Sequence, residues 1–173
     1  QVEDYYKGDT IVEYYMNPFG LNVPNLQSVG GYVYIDLSGK ALTSFDASKL
    51  TSIGGNLWIK NGVQSGYYPG PQPPQKMSIR IPALNSTGGK LQIHDFEGLV
   101  GVSFASLTYA KEISVYKNPK LTNISFSALR STAGVFQVYD NAGATAVILP
   151  CGGESESQLN VSKVNASSIT YPC

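Results

Sequence analysis

One short phrase recurs along this chain, in which a leucine, two glycines and an alternating apolar strand follow one another. Residues 26–35 read LQSVGGYVYI, residues 50–59 read LTSIGGNLWI, and residues 84–93 read LNSTGGKLQI. Looser copies end at Val115 and Val138. Repeats of one short strand are typical of a solenoid, in which each coil buries its apolar face only against its neighbours. The repeat therefore predicts a surface displayed along a rod, and it disfavours a single catalytic pocket.

Apolar residues alternate with polar ones in every copy, which is the period of a half-buried strand. We expect parallel strands near residues 11–16, 32–36, 56–60, 90–94, 112–116 and 135–139, stacked in sequence order. The inward-facing pairs are Val12/Tyr14, Val33/Ile35, Leu57/Ile59, Leu91/Ile93, Ile113/Val115 and Phe136/Val138. All but one of the intervals between successive pairs fall within the roughly 20–29 residues of a leucine-rich coil. The predicted fold class is all-β, a parallel β-solenoid of about six coils.

Other apolar residues, asparagines and glycines recur between these strands. The apolar set expected to fill the remaining sides of the coils includes Phe45, Leu50, Leu99, Val102, Phe104, Leu107, Leu121, Ile124, Phe126 and Leu129. Asparagine follows the strand at Asn17, Asn61, Asn118 and Asn141. We expect these asparagines to turn the chain and to satisfy backbone groups of the adjacent coil. Paired glycines precede the strands, and they suit a corner with positive φ or a close approach between coils.

Composition excludes several classes of function. Lysine plus arginine and aspartate plus glutamate number 12 each, so the net charge is zero. Without a basic stripe to neutralise phosphates, nucleic acid is not an expected partner. No apolar run reaches the roughly 20 residues that a membrane helix needs, so no membrane span is expected. Only 14% of residues are charged, which is typical of secreted β-proteins.

The chain is read as one domain over residues 1–173, with three segments outside the regular coils. Residues 1–20 form an aromatic N-terminal segment, residues 62–76 a loop rich in proline and glycine, and residues 150–173 a C-terminal cap. Their exposed aromatics Tyr5, Tyr6, Tyr67 and Tyr68 are candidates for self-association. A solenoid has unpaired sheet edges at both ends unless caps protect them. Head-to-tail contact between copies would therefore propagate as a filament.

Cysteines and glycosylation sequons both favour the secretory route and an extracellular location. Cys151 and Cys173 enclose the C-terminal segment, and a disulfide between them would tie it to the last coil. Asn-X-Ser/Thr sequons begin at Asn85, Asn123, Asn160 and Asn165. Each is weak alone, but four sequons together with a cysteine pair predict a glycosylated, disulfide-bonded protein.

The outward strand positions suggest a binding face. Its candidate residues are Tyr34, Trp58, Lys60, His94, Tyr116 and Tyr139. Adjacent coils stand about 4.8 Å apart, so Tyr34 with Trp58 and Tyr116 with Tyr139 should form two aromatic pairs. Exposed aromatics mark protein or sugar contacts. The alternative is cross-strand stacking that only stabilises the sheet.

Catalytic chemistry finds little support in the residues. His94 is the only histidine, so no metal cluster of His and Cys can form, and no cofactor is expected. Outward carboxylates occur at Asp36 and Glu112, in non-adjacent copies and different columns. We therefore do not predict an enzyme, and a β-helical carbohydrate-active enzyme is only a third alternative.

The repeat phrase resembles the L-domain repeat of insulin- and EGF-receptor ectodomains, a leucine-rich-repeat-like β-solenoid. Residues 118–126, NPKLTNISF, resemble fungal GPI-anchored cell-wall proteins of the sporulation-specific type. The resemblance covers about residues 10–149 and implies a right-handed solenoid with one main parallel sheet. The chain differs from these families in its 62–76 insertion and in lacking the N-terminal capping cysteines of receptor L-domains.

These observations predict a secreted glycoprotein with a structural or adhesive role in a cell wall, extracellular matrix or surface filament. Its expected partners are further copies of itself or other cell-surface proteins. The second hypothesis is a ligand-recognition module that binds a protein or glycan through the aromatic sheet face.

Overall fold

The computed structural model describes residues 20–36, 44–61, 76–143, 146–149, 160–164 and 169–170. This part of the chain is built from short β-strands, of which only β8 and β10 exceed five residues. The strands are β1 (Gly20–Asn22), β2 (Ser28–Val29), β3 (Val33–Asp36), β4 (Ser44–Asp46), β5 (Ser52–Ile53), β6 (Leu57–Lys60), β7 (Met77–Arg80), β8 (Ser86–His94), β9 (Leu99–Ser103), β10 (Tyr109–Tyr116), β11 (Asn123–Ser125), β12 (Ser131–Thr132), β13 (Val135–Tyr139), β14 (Ala146–Ile148), β15 (Asn160–Val164) and β16 (Ile169–Thr170).

All the strand pairings among the described residues are parallel. The main sheet runs in the order β15-β13-β10-β8-β5-β2, and β3, β6 and β12 complete its rungs. A second sheet runs in the order β16-β14-β11-β9-β7. β1 pairs with β4, and β4 lies against β7. Strands next to one another in each sheet come from successive turns of the chain, which is the arrangement of a solenoid.

Five of the six strands predicted for the main sheet are confirmed. They correspond to β3, β6, β8, β10 and β13, stacked in sequence order. The predicted strand at 11–16 lies outside the described residues. The described residues form a solenoid of about four turns, where the sequence predicts about six coils over the whole chain. The C-terminal segment, expected only to cap an incomplete coil, instead adds β15 beside β13 and β16 beside β14.

The core fills the space between the two main sheets. Every described inward-facing residue predicted for the main sheet is less than a tenth exposed: Val33, Ile35, Leu57, Ile59, Leu91, Ile93, Ile113, Val115, Phe136 and Val138. The second sheet and the corners contribute Leu99, Val102, Phe104, Leu107, Leu121, Ile124, Phe126 and Leu129, all fully buried. Phe104 and Phe126 stack with ring centroids 5.5 Å apart and planes 5° from parallel. The core thus runs continuously along the solenoid axis from one coil to the next.

Two asparagines form a buried ladder at one corner of the coils, as the sequence predicts. Asn141 accepts a hydrogen bond from the Asn118 amide at 3.0 Å and donates to the Val115 carbonyl at 2.9 Å. Asn118 likewise accepts from the Phe96 amide at 3.1 Å and donates to the Tyr116 carbonyl at 2.9 Å. These side chains satisfy backbone groups that the corner would otherwise leave unbonded.

The same register corrects one assignment of the sequence analysis. Lys60 pairs with His94, so Asn61 stands one residue before the position that Asn118 and Asn141 occupy. Asn61 is only half-buried, and Asn17 lies outside the described residues. The corner asparagine is therefore a feature of the later coils, and Phe96 takes its place in the coil of β8.

The paired glycines lie where the backbones of adjacent coils approach too closely to leave room for a side chain. A Cβ on Gly54 would overlap the Gly30 carbonyl oxygen, and one on Gly88 would overlap that of Gly54. Neither Gly54 nor Gly88 has a positive φ, so these two positions need space and not a left-handed conformation. The glycines form a column in which the backbones of three successive coils touch directly.

Candidate binding face

The outer face of the main sheet carries two straight columns of side chains, because the register sets equivalent residues side by side on successive rungs. The central column is Tyr34, Trp58, Gln92, Ser114 and Gln137. The lateral column is Asp36, Lys60, His94, Tyr116 and Tyr139. All six residues of the predicted binding face lie in these columns.

Three rings of the lateral column stack on one another along the solenoid axis. The ring centroids of His94 and Tyr116 are 4.7 Å apart with planes 6° from parallel. Those of Tyr116 and Tyr139 are 5.0 Å apart with parallel planes. Partial burial raises the pKa of the Tyr139 hydroxyl, and the charges of Tyr116 and Asp140 raise it further. Because the rings cover one another's faces, they present mainly their edges to a ligand.

The chain turns sharply directly after each of these rings. Asp95, Lys117 and Asp140 have φ angles of 62°, 53° and 53°, in the left-handed region that residues other than glycine seldom adopt. Asp95 also places Oδ2 2.7 Å from Nδ1 of His94. The same backbone turn therefore follows each of the three rings, and the contact with Asp95 fixes the orientation of the His94 ring.

A separate cluster lies at the other end of the face. Lys60 Nζ is 2.9 Å from Asp36 Oδ2 and 5.4 Å from the centroid of the Tyr34 ring. The Tyr34 hydroxyl donates to the same carboxylate oxygen at 3.3 Å. Hydrogen bonding to Tyr34 and to Asp36 raises the pKa of Lys60. Lys60 is therefore cationic at physiological pH, and its charge is balanced locally by Asp36.

Trp58 is the exposed apolar group of the central column. Its side chain is 36% exposed, as is that of Tyr109, and these are the two exposed large hydrophobic side chains in the described part of the chain. The ring centroids of Trp58 and Tyr34 are 5.9 Å apart with planes at 75°. Both aromatic pairs predicted from the sequence are thus present, one edge-to-face and one stacked.

Ser114 lies in the middle of the central column yet is only 2% exposed. Its neighbours along the column are Gln92 and Gln137, and the Gln92 amide donates to the hydroxyl of Tyr116. The Ser114 hydroxyl has no hydrogen-bond partner. A buried polar group in that state costs free energy.

The outward carboxylates do not form a catalytic pair. Asp36 is bonded to Lys60, and Glu112 lies 3.5 Å from Lys90. β3 and β10 are separated by two intervening rungs, and Glu112 stands four residues before the rung position of Asp36, so the two carboxylates are more than roughly 14 Å apart at the usual strand spacing. That separation exceeds the roughly 5–9.5 Å at which paired acids cleave glycosidic bonds.

Several predicted site residues fall outside the described part of the chain. They are Tyr5, Tyr6, Tyr67 and Tyr68 of the self-association proposal, Cys151 and Cys173 of the disulfide, and the sequon residue Asn165. The sequon residues Asn85 and Asn123 are exposed. Asn160 begins β15, opposite Val135 of β13.

Sequence reasoning missed two features of the face. The stacking of His94 on Tyr116 was not predicted, although the predicted column set the two residues side by side. The burial of Ser114 was not predicted either, because alternation assigns its position to the outer face, where side chains are expected to be exposed.

Two further observations bear on partners and cofactors. Among the described residues, no helix could cross a membrane, and no group of three or more His, Cys, Asp or Glu side chains is placed to hold a metal ion. Comparisons with protein-family models, with curated proteins and with solved structures find no match.

Proposed function

We propose that this chain is a secreted, non-enzymatic glycoprotein with a structural or adhesive role in a cell wall, extracellular matrix or surface filament. The observation that carries the proposal is the continuity of contacts along the axis. Three kinds of contact join one coil to the next: stacked rings on the outer face, the asparagine ladder at the corner and stacked phenylalanines in the core. Such contacts suit an element that transmits load or presents a surface, because each coil is held by its neighbours.

The proposal includes a family assignment and a handedness. The repeat phrase and the parallel solenoid are compatible with a right-handed, L-domain-like or fungal wall-protein-like fold. That assignment rests on the repeat residues, and fold likeness alone does not fix function.

Self-association is the proposed mode of action. The zero net charge gives little electrostatic repulsion between copies, and Tyr5, Tyr6, Tyr67 and Tyr68 supply aromatic anchors of the kind enriched in interfaces. Sedimentation of the natively glycosylated protein should show homomeric association. Deleting residues 1–9 and replacing Tyr67 and Tyr68 with serine should abolish it and leave the β-sheet circular dichroism unchanged. A protein that stays monomeric at high concentration would contradict the assembly proposal.

Secretion and glycosylation are tested separately. Asn85, Asn123, Asn160 and Asn165 should carry N-glycans at least in part, so an N-glycan-removing enzyme should lower the apparent mass of native material. An unchanged mass would show that the sequons are unused.

Ligand recognition is the second candidate function. It is favoured by Trp58, whose partly exposed indole lies on the outer face of the main sheet beside the ion pair between Lys60 and Asp36.

A further inference from the structure

The two columns of the outer face differ in which side chains they leave exposed or without a hydrogen-bond partner. In the lateral column the rings of His94, Tyr116 and Tyr139 cover one another, and Lys60 is paired with Asp36. In the central column Trp58 is 36% exposed and the Ser114 hydroxyl has no partner. A ligand would therefore find its open contacts in the central column.

We propose that the central column binds a neutral oligosaccharide laid along the solenoid axis. This inference rests on the recognition function proposed above and is independent of the assembly proposal. Trp58 would receive the apolar face of one sugar ring, and a hydroxyl of a neighbouring ring would bond Ser114.

The indole of Trp58 is the anchor of this site. Its orientation is supported by the edge-to-face contact with Tyr34, whose hydroxyl is in turn bonded to Asp36. A rigid aromatic surface beside a few fixed polar groups is the usual composition of a small-ligand site. The anchor is thus preorganised, which limits the entropy lost on binding.

Ser114 defines the second contact. It stands two rungs from Trp58 in the same column, which is about 10 Å at the usual strand spacing. A sugar hydroxyl both donates and accepts, so it can bond the Ser114 hydroxyl in either sense. Gln92, between the two, bonds Tyr116 and would turn towards the ligand to open the path to Ser114.

Charge decides the class of ligand. The central column contains no charged side chain, and the charged side chains on either side of it are paired. Lys60 is bonded to Asp36, and Lys90 lies 3.5 Å from Glu112. An anionic polysaccharide would have to break these pairs to gain a cation, so a neutral, hydroxyl-rich chain is favoured.

Geometry argues against a peptide on the same surface. Extended peptides gain affinity from main-chain hydrogen bonds to a free sheet edge. This surface is the face of a sheet, and it offers only side-chain groups spaced by about 4.8 Å from rung to rung. Amides and a hydroxyl at that spacing suit the successive hydroxyls of a sugar chain.

The test uses the full-length glycosylated chain and its single tryptophan. The probes are neutral hexasaccharides of glucose, of mannose and of N-acetylglucosamine, with oligogalacturonate and an extended hexapeptide as comparisons. At least one neutral probe should shift the Trp58 emission and give saturable binding by calorimetry. Neither oligogalacturonate nor the peptide should do so.

Variants locate the binding site. Trp58→Ala should weaken calorimetric affinity at least tenfold, and Ser114→Ala about fivefold, the equivalent of one net hydrogen bond. Tyr109→Ala is the matched control, because Tyr109 is equally exposed at 36% but lies outside both columns. Circular dichroism should show that all three variants keep the sheet.

Three results would overturn the proposal: no neutral probe binds, only the charged or peptide probe binds, or affinity survives in Trp58→Ala. Sedimentation of the same variants separates the two functions. Loss of sugar binding with assembly intact supports this inference, whereas monomeric protein that still binds sugar contradicts assembly alone.

Discussion

Ser114 lies on the outer face of β10, yet it is buried and its hydroxyl has no hydrogen-bond partner. Leaving a buried hydroxyl unsatisfied costs about 1–3 kcal/mol, whereas a hydroxyl that keeps its partner contributes about 1 kcal/mol. Thr87 provides the contrast within the same sheet. It is also buried, but its hydroxyl donates to the Gly89 carbonyl at 3.1 Å.

Ser114→Ala should therefore raise the free energy of unfolding by about 1 kcal/mol, because it removes an unsatisfied group and no hydrogen bond. Thr87→Val, the matched control, should lower it by about 1 kcal/mol. Urea denaturation followed by circular dichroism measures both. A loss of stability in Ser114→Ala equal to that in Thr87→Val would mean that its hydroxyl is bonded in solution.

Single residues also show how far the candidate site could be predicted. Alternation placed Trp58, Tyr34, Tyr116 and Tyr139 in the correct columns, because in a parallel sheet the register follows directly from the repeat. Alternation assigns Ser114 to the outer face, where side chains are expected to be exposed. Its burial and its unbonded hydroxyl were therefore found only in the structure.

At the scale of elements, two different sets of contacts join the coils, the glycine column and the asparagine ladder. The glycine column serves the rungs that contain β2 and β3, β5 and β6, and β8. The asparagine ladder serves the coils of β8, β10 and β13, and it ends on the Phe96 amide just after β8. The coil of β8 therefore takes part in both sets of contacts.

Gly88→Ala should destabilise the protein by about 1–3 kcal/mol, because the added methyl group would overlap the Gly54 carbonyl oxygen. Gly101→Ala is the control. Its Cβ would be closest to the Ser78 hydroxyl, at 3.0 Å, and that hydroxyl can rotate away. Thermal unfolding should leave Gly101→Ala within about 0.5 kcal/mol of the parent. Equal effects would show that backbone contact does not set the glycine column.

Asn118→Ala should cost about 2–4 kcal/mol, since it leaves the Phe96 amide and the Tyr116 carbonyl buried without partners. Asn25→Ala removes an exposed asparagine whose side chain accepts a hydrogen bond from the exposed Lys49, and it should change stability by less than about 0.5 kcal/mol. Denaturant midpoints compare the two. A mild effect at Asn118 would indicate that water replaces the ladder.

Elements were predicted where alternation was long and missed where it was short or interrupted. The main-sheet strands β3, β6, β8, β10 and β13 alternate over four or more residues and were found. β11 and β14 have three residues each, which is too short for a period to be read, although the buried Ile124 of β11 was identified. β15 was missed because Val161 and Val164 are three residues apart, which breaks the alternation. A register shift opposite Gln137 and Val138 accommodates this spacing in the sheet.

At the scale of the whole molecule, described segments of the C-terminal region extend both sheets, and the predicted disulfide would enclose them in the sequence. β15 and β16 pair with β13 and β14, and both lie between Cys151 and Cys173 in the sequence. A crosslink around these strands would restrict the unfolded segment and favour its docked state. Stability in a solenoid is local, so the effect should be confined to the last turn.

Peptide mapping without reduction should recover Cys151 and Cys173 linked. Reduction should then speed amide exchange in β15 and β16 and leave β8 and β10 protected, because the central coils keep neighbours on both sides. Hydrogen exchange followed by mass spectrometry measures both regions in one experiment. Free thiols in native material would remove the disulfide, and uniform loss of protection would show that the molecule unfolds as one unit.

The glycine column has a consequence for how such a chain can change in length. Gly54 meets Gly30 in the same way as Gly88 meets Gly54, carbonyl against Cα in both cases. The backbone contact at the first glycine is therefore the same at both joints, although the side chains paired on the outer face differ. Duplicating or excising one such coil would keep this backbone contact at the new joint, so the length of the molecule can vary in whole coils with only the side chains of the outer face having to repack.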